Sequence, residues 1–184
     1  MPKRDRQIID KVLILLGVVT TAAFLVIGGL AWWGYRFATN EVKTQLASQK
    51  IYFPAAGSPA ITALPAADQA AMNKFAGQQL VNGNQAKVYA DNFIAVHLDE
   101  VAGGQTYSQV STAALSDPTN QKLQAQKAVL FQGETLRGLL LGDGYAYWTF
   151  GMLAQYVAIA SFVAAGIMAF LVFLGIGHLS RVRK

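Results

Sequence analysis

Two long apolar stretches lie near the ends of this 184-residue chain, and a more polar stretch separates them. Residues 12–35 and 144–179 contain no Asp, Glu, Lys or Arg. A helix needs roughly 20 apolar residues to cross the hydrocarbon core of a bilayer. Both stretches exceed that length, so the pattern predicts transmembrane helices at residues 12–35 and 145–179.

The first apolar stretch follows a basic start, MPKRDRQIIDK, as the core of a secretory signal peptide does. Its 24 residues exceed the roughly 7–15 residues of a signal-peptide core. It ends in AWWGYR, which offers no clean cleavage site between small residues. We therefore expect an uncleaved membrane anchor.

Local signals predict only helices between the apolar stretches. The helix formers EVKTQLASQK extend the first helix, which is predicted from about residue 5 to about residue 49. Three prolines in KIYFPAAGSPAITALP then break it, and we expect an extended segment with Ile51, Tyr52 and Phe53 anchored in a core. The fold class is an all-α membrane protein, in which two long transmembrane helices form an antiparallel hairpin with an extracytoplasmic all-α insert.

Start and stop signals divide the insert into further helices. The first is predicted over residues 65–81, and the second is capped by Asn84 and ends at Gly103-Gly104. Thr106 caps a short third helix. Asp117-Pro118 begins a fourth helix, which continues into the second apolar stretch.

The formal net charge of +5 lies in the two tails. Residues 1–11 sum to +2 and residues 180–184 to +3, whereas residues 35–150 sum to zero. Basic flanking residues mark the cytoplasmic side of a membrane protein. We therefore expect cytoplasmic tails at 1–11 and 180–184 and an extracytoplasmic domain at 36–144. Recruitment of anionic lipid or of a partner by the tails is the alternative; nucleic-acid binding is not indicated.

The segment GDGYAYW, at residues 142–148, has two interpretations. Potassium-channel filters carry Gly and Tyr just before a pore-lining helix, but here the order is Gly-Asp-Gly-Tyr and no threonine precedes it. A belt of aromatic side chains at the membrane interface fits better. The predicted belt comprises Trp32, Trp33, Tyr35, Tyr145, Tyr147 and Trp148.

The titratable residues provide little support for metal binding or catalysis. His97 and Glu100 lie one helical turn apart and form a weak metal-site candidate, since zinc generally requires more nitrogen or sulfur ligands. A hydrogen-bonded surface histidine is the alternative. Glu134 and Arg137 are predicted to pair with each other or to contact a partner. No serine lies in Gly-x-Ser-x-Gly and the chain has no cysteine, so we expect neither an enzyme nor a cofactor.

Small residues recur along both predicted transmembrane helices. Such stripes allow helix backbones to approach closely in lipid. The predicted packing residues are Gly17, Thr21, Gly28 and Ala31 on the first helix and Ala154, Ala158, Ser161, Ala165 and Ala169 on the second. Phe162, Phe170 and Phe173 are expected on the opposite face, where they suit lipid or a partner.

Several segments together make the chain resemble a group of two-span actinobacterial membrane proteins. The resemblance covers most of the chain and rests on DRQIIDKVLILLG, GLAWWGYRFA, YADNFIAVHL, GGQTYSQVSTAAL and FQGETLRGLLLGDGYAYWTFG. It implies the plasma membrane of a Gram-positive bacterium. That group is left without an assigned activity, so the resemblance provides no functional residues.

Three functional hypotheses follow from these patterns. The first is a non-catalytic accessory or assembly subunit of a larger plasma-membrane complex, respiratory or transport, that binds other subunits within the lipid bilayer. The second is an extracytoplasmic sensor or ligand-binding module, which would signal through another protein because both tails are short. The third is a homo-oligomeric channel of two-span subunits, although no Asp, Glu, Lys or Arg lies within either span.

Overall fold

The computed structural model describes residues 3–183, with side chains from residue 4 to residue 181. Positions 1, 2 and 184 of the predicted basic tails lie outside the described residues. The elements are α1 (Lys3–Ser48), α2 (Pro59–Thr62), α3 (Ala66–Asn73), α4 (Gly83–Tyr89), α5 (Ala95–Ala102), α6 (Tyr107–Ser116), α7 (Gln121–Leu139) and α8 (Tyr147–Arg183). A first π-helical turn, Ala90–Ile94, joins α4 to α5, and a second, Leu140–Ala146, joins α7 to α8.

Two helical stretches are long and apolar enough to cross a membrane, by length and composition. They extend over residues 4–48 and 121–181. Only 11% and 17% of their most apolar windows are buried. A core helix of a soluble protein would be mostly buried, and these two windows are not.

The chain divides into two compact units. The first contains the described parts of residues 1–37 and 151–184, and the second contains residues 38–150. The second unit has its own apolar core, as an independently packed helical domain requires. Its largest fully buried side chains are Ile61, Met72, Leu80, Val110, Leu130 and Leu140.

The extended segment after α1 is anchored as predicted at two of its three positions. Phe53 is buried and Ile51 packs against the core. Tyr52 is 57% exposed, so its predicted burial is wrong. It forms an isolated antiparallel bridge with Gln79, and alternation of side chains along extended backbone directs Tyr52 away from its two neighbours.

Local capping signals explain several of the helix ends. The predicted range of α1 is confirmed within two residues. Thr106 begins α6 as predicted, in a reciprocal capping box with Gln109. The predicted stop after α5 is also confirmed, because Gly103 adopts φ 61° and ψ 42°, a left-handed conformation that favours glycine.

Three predicted helix ends are wrong. The helix predicted over residues 65–81 ends at Asn73, and a glycine turn follows, in which Gly77 has φ 72°. Asn82 rather than Asn84 caps α4, because its side chain accepts a 3.0 Å hydrogen bond from Gln85 N. Asn120 rather than Asp117 caps α7, since the Asp117 carboxylate instead accepts hydrogen bonds from the Thr119 and Asn120 side chains.

Candidate functional site

Small residues of α8 form part of a buried seam in the first unit. Ala158 and Ala165 are 0% and 2% exposed, and Ser161 is buried as well. The buried or half-buried positions on this face alternate at three and four residues: 158, 161, 165, 168, 172 and 175. A 3.5-residue period is the spacing of coiled-coil contact positions. Ala154 is half-buried on the same seam, whereas Ala169 is exposed because the seam continues at Met168 instead.

The matching seam on α1 has the same period. Positions 10, 14, 17, 21, 24, 28, 31 and 35 are all buried or half-buried. Gly17 and Gly28 are the buried glycines in it, and Thr21 keeps its hydroxyl satisfied by donating a 2.8 Å hydrogen bond to Gly17 O. The side chains on the rest of this apolar helix are mostly exposed.

Glycine contacts show which positions of the two seams meet. A β-carbon at Gly28 would lie 2.8 Å from Phe162 Cε1, and one at Gly175 would lie 3.2 Å from Ile14 Cγ1. Neither glycine therefore tolerates a larger side chain without movement of its neighbour. The ring of Phe162 covers Gly28, so the expectation that Phe162 faces away from the first helix is wrong. Phe170 and Phe173 are exposed.

The six residues of the predicted aromatic belt occupy different environments. Trp32 and Trp33 are exposed in the first unit, and Tyr35 is half-buried with its ring 5.3 Å from that of Trp32. Trp148 instead packs against the core of the second unit, where its side chain meets Gly83 so closely that a β-carbon on this glycine would clash. The structure therefore gives Trp148 a packing contact inside its own unit. Tyr145 is half-buried, and Tyr147 is 39% exposed.

The GDGYAYW segment is helical. Residues 140–146 form the second π-helical turn, in which Gly144 is buried and a β-carbon on it would lie 3.0 Å from Ala86 Cβ. Helical carbonyl oxygens lie along the helix axis, whereas a filter needs rings of carbonyls that face an ion. The segment therefore packs the start of α8 against α4.

A charged cluster in the second unit contains one ion pair that the sequence predicts and others that it does not. The predicted pair between Arg137 Nη1 and Glu134 Oε2 is present at 3.4 Å. Arg137 Nη2 also lies 3.3 Å from Asp91 Oδ1, and Lys87 Nζ lies 2.6 Å from Asp91 Oδ2. Lys87 further lies 5.2 Å above the ring of Tyr145. The i,i+4 spacing of Lys87 and Asp91 is a readable signal, whereas the contact of Asp91 with Arg137 is tertiary.

Opposing influences set the pKa values in this cluster. Burial raises the pKa of Asp91, but hydrogen bonds and charge from Lys87 and Arg137 outweigh it and hold that pKa below its usual value. The hydrogen bond to Asp91 and its charge raise the pKa of Lys87. The cluster contains two cations and two carboxylates, and its ion pairs join α4, the first π-helical turn and α7.

His97 is placed as a hydrogen-bonded surface residue. Its Nδ1 lies 2.7 Å from Phe93 O, and its ring lies 4.4 Å from that of Phe93. Glu100 is exposed, one turn further along α5. Across residues 3–183 no three His, Asp or Glu side chains gather into a group that would suit a metal ion.

The second unit also has shallow surface cavities. One, of about 360 Å³, is lined by Glu41, Val42, Gln45, Asp143 and Tyr147. Another of about the same volume is lined by Tyr107, Gln124, Lys127, Ala128 and Phe131. Neither lining includes a serine, threonine, cysteine or histidine, the residues that most often serve as nucleophile and base in acyl transfer.

No protein-family model, curated protein or solved structure matches this chain. The resemblance to two-span actinobacterial membrane proteins therefore stays a prediction.

Proposed function

We propose that this protein is a non-catalytic accessory or assembly subunit of a larger plasma-membrane complex. The observation that carries the proposal is that each long helix buries only one of its faces. Each buries one narrow seam that includes several small residues and exposes large apolar side chains on its remaining faces. Such surfaces suit lipid and neighbouring transmembrane helices.

The seam contacts support an antiparallel hairpin of the two transmembrane helices. Position 14 of α1 meets position 175 of α8, and position 28 meets position 162. Residue numbers thus rise along one helix as they fall along the other. Close approach at small residues is how helices associate in lipid, where apolar side chains gain little from meeting each other.

The second unit supports a binding role over a catalytic one. The cations and carboxylates of its charged cluster pair with one another, and its two cavities of about 360 Å³ have no serine, threonine, cysteine or histidine in their linings. The unit exposes several large apolar side chains, including Leu115, Phe131, Leu139 and Phe150. In the proposed architecture this unit is the extracytoplasmic domain that docks on other subunits.

The topology that completes the proposal has both termini in the cytoplasm. Basic residues near both ends support it. Single substitutions Ala56→Cys and Ser180→Cys test it, because the chain has no cysteine of its own. An impermeant maleimide added to whole cells should label only Ala56→Cys. Labelling of the Ser180→Cys variant alone would show that the topology is the inverse of the one proposed.

Native mass spectrometry of the protein, extracted in mild detergent from its own membrane, tests the accessory role. We expect a complex with at least one different protein in fixed stoichiometry. A closed homo-oligomer with no second protein would favour the channel hypothesis. A monomer whose thermal unfolding shifts with a small extracytoplasmic ligand would favour the sensor hypothesis; either result would overturn the proposal.

A further inference from the structure

A groove lies between α1 and α8 at the ends of these helices nearest the chain termini. Its volume is about 220 Å³. Apart from one carboxylate, its walls are apolar. The residues that shape it include Asp10, Ile14 and Gly17 on α1 and Met168, Val172 and Gly175 on α8.

The carboxylate at one end of the groove is under-satisfied. Asp10 Oδ2 is buried and accepts no hydrogen bond within the described part of the chain. The nearest cationic candidate, His178 Nε2, lies 3.9 Å away, which is too long for a hydrogen bond, and its side chain is exposed. A buried carboxylate oxygen without a donor is costly, so the Asp10 carboxylate, which lines the groove, is suited to a cationic donor from outside the chain.

The position of Asp10 along α1 indicates the depth in the bilayer at which that donor would lie. Asp10 precedes the apolar stretch at residue 12 by two positions, a rise of about 3 Å along a helix. It therefore lies at the boundary between hydrocarbon and headgroups when α1 crosses a bilayer. Lipid headgroups occupy this depth, and their acyl chains extend in the direction of Ile14 and Gly17.

We propose that this groove binds a phospholipid with a primary ammonium headgroup, of the phosphatidylethanolamine class. The ammonium donates to the Asp10 carboxylate, which lines the groove, and part of an acyl chain lies along the apolar walls. The proposal needs the long helices to lie in a membrane, which belongs to the proposed function, but it needs no partner subunit.

The headgroup chemistry predicts that the groove selects among phospholipids. Phosphatidylglycerol is anionic and lacks an ammonium, so the Asp10 carboxylate disfavours it. Phosphatidylcholine carries a positive charge but has no N–H group to donate. A lysine side chain from a protein partner would satisfy the carboxylate, but it would leave most of the apolar groove unfilled, which is why a lipid is favoured.

Native mass spectrometry of the full-length protein in mild detergent, with equal amounts of the three phospholipids bearing identical acyl chains, tests this inference. We expect phosphatidylethanolamine to be retained about tenfold or more over the other two, the size of one charge-assisted hydrogen bond. Asp10→Asn should remove this preference. Asp5→Asn, which changes an exposed carboxylate on the same helix, should leave it intact.

The selectivity of the wild-type protein is informative even if Asp10→Asn fails to fold. Equal retention of all three lipids, or preference for phosphatidylglycerol, would overturn the inference. So would an Asp10→Asn variant that keeps its lipid preference but loses a co-purifying protein, because the carboxylate would then serve a protein partner. None of these outcomes depends on whether the accessory role is correct.

Discussion

Gly17 of α1 and Val172 of α8 meet so closely that a β-carbon on Gly17 would lie 2.5 Å from Val172 Cγ2. The same helix contains Gly29, around which a β-carbon would meet nothing within 4 Å. The two glycines therefore differ in whether a side chain of α8 lies against them. This difference makes a matched pair of variants available.

Gly17→Val should weaken the contact between the two long helices, because the added side chain forces them apart. Overpacking typically costs about 1–3 kcal/mol. Gly29→Val makes the same chemical change and the same change in helix propensity without a clash. Unfolding of both variants in mixed detergent micelles measures the difference. Equal stabilities would mean that α1 and α8 do not pack at Gly17.

A cysteine pair should report the register of the two helices directly. Ile14 lies next to Gly175, at 3.2 Å from the β-carbon that this glycine would carry. Oxidation of the variant with Ile14→Cys and Gly175→Cys should form an intramolecular disulfide, seen as a mobility shift that reductant reverses. The pair Ile14→Cys with Phe173→Cys, which uses an exposed position on α8, should not. A disulfide in the second pair alone would disprove the register.

Acid should destabilise the protein partly through Asp91. The folded-state pKa of Asp91 is lowered, so its stabilising contribution is complete above the unfolded value of about 3.9. That contribution is lost as the pH falls from there through the lower folded-state pKa. Thermal unfolding between pH 7 and pH 2 should therefore show a smaller acid-induced decrease for Asp91→Asn than for the wild type.

The matched control for this measurement is Asp99→Asn, which removes an exposed carboxylate from the neighbouring α5. Its acid-induced decrease should equal that of the wild type. The effect of Asp91 is expected to be modest, within about 1 kcal/mol, because partly exposed ion pairs are screened by solvent. An unchanged acid response in Asp91→Asn would show that its ion pairs do not stabilise the fold.

Features that depend on neighbouring residues in sequence could be predicted from the sequence. The bounds of α1, the capping box at Thr106 and the left-handed Gly103 all follow from short local patterns. The two apolar stretches follow from length and charge alone. These signals are local because a helix satisfies its own backbone hydrogen bonds and needs external groups only at its ends.

Features that depend on tertiary contacts could not be predicted. The partner of Asp91 on α7 is 46 residues away, and no local spacing indicates it. The contact of Trp148 with Gly83 likewise requires α4 and α8 to be placed first. The sequence pattern also predicts that Ala169 belongs to the stripe of small residues on α8. The observed seam has a period of 3.5 residues and passes through Met168 instead.

The position of Ala169 provides the last test. Ala158 and Ala165 are buried on the seam, and leucine at either site would push the neighbouring backbone away. The double variant with Ala158→Leu and Ala165→Leu should separate α1 from α8, at a cost of roughly 1–3 kcal/mol for each site. Ala169→Leu, the same change one turn further along on exposed surface, should leave the pairing of the helices intact.

Disulfide formation between positions 14 and 175 provides the measurement for these alanine variants, since it responds directly to separation of the helices. We expect efficient cross-linking with Ala169→Leu and little with the double variant, while both proteins remain in the membrane fraction. If Ala169→Leu instead loses a co-purifying subunit, exposed α8 surface is a docking site, as an accessory subunit requires. Normal cross-linking in the double variant would show that the alanines do not form the seam, and close packing at small residues would then fail as the basis of the hairpin.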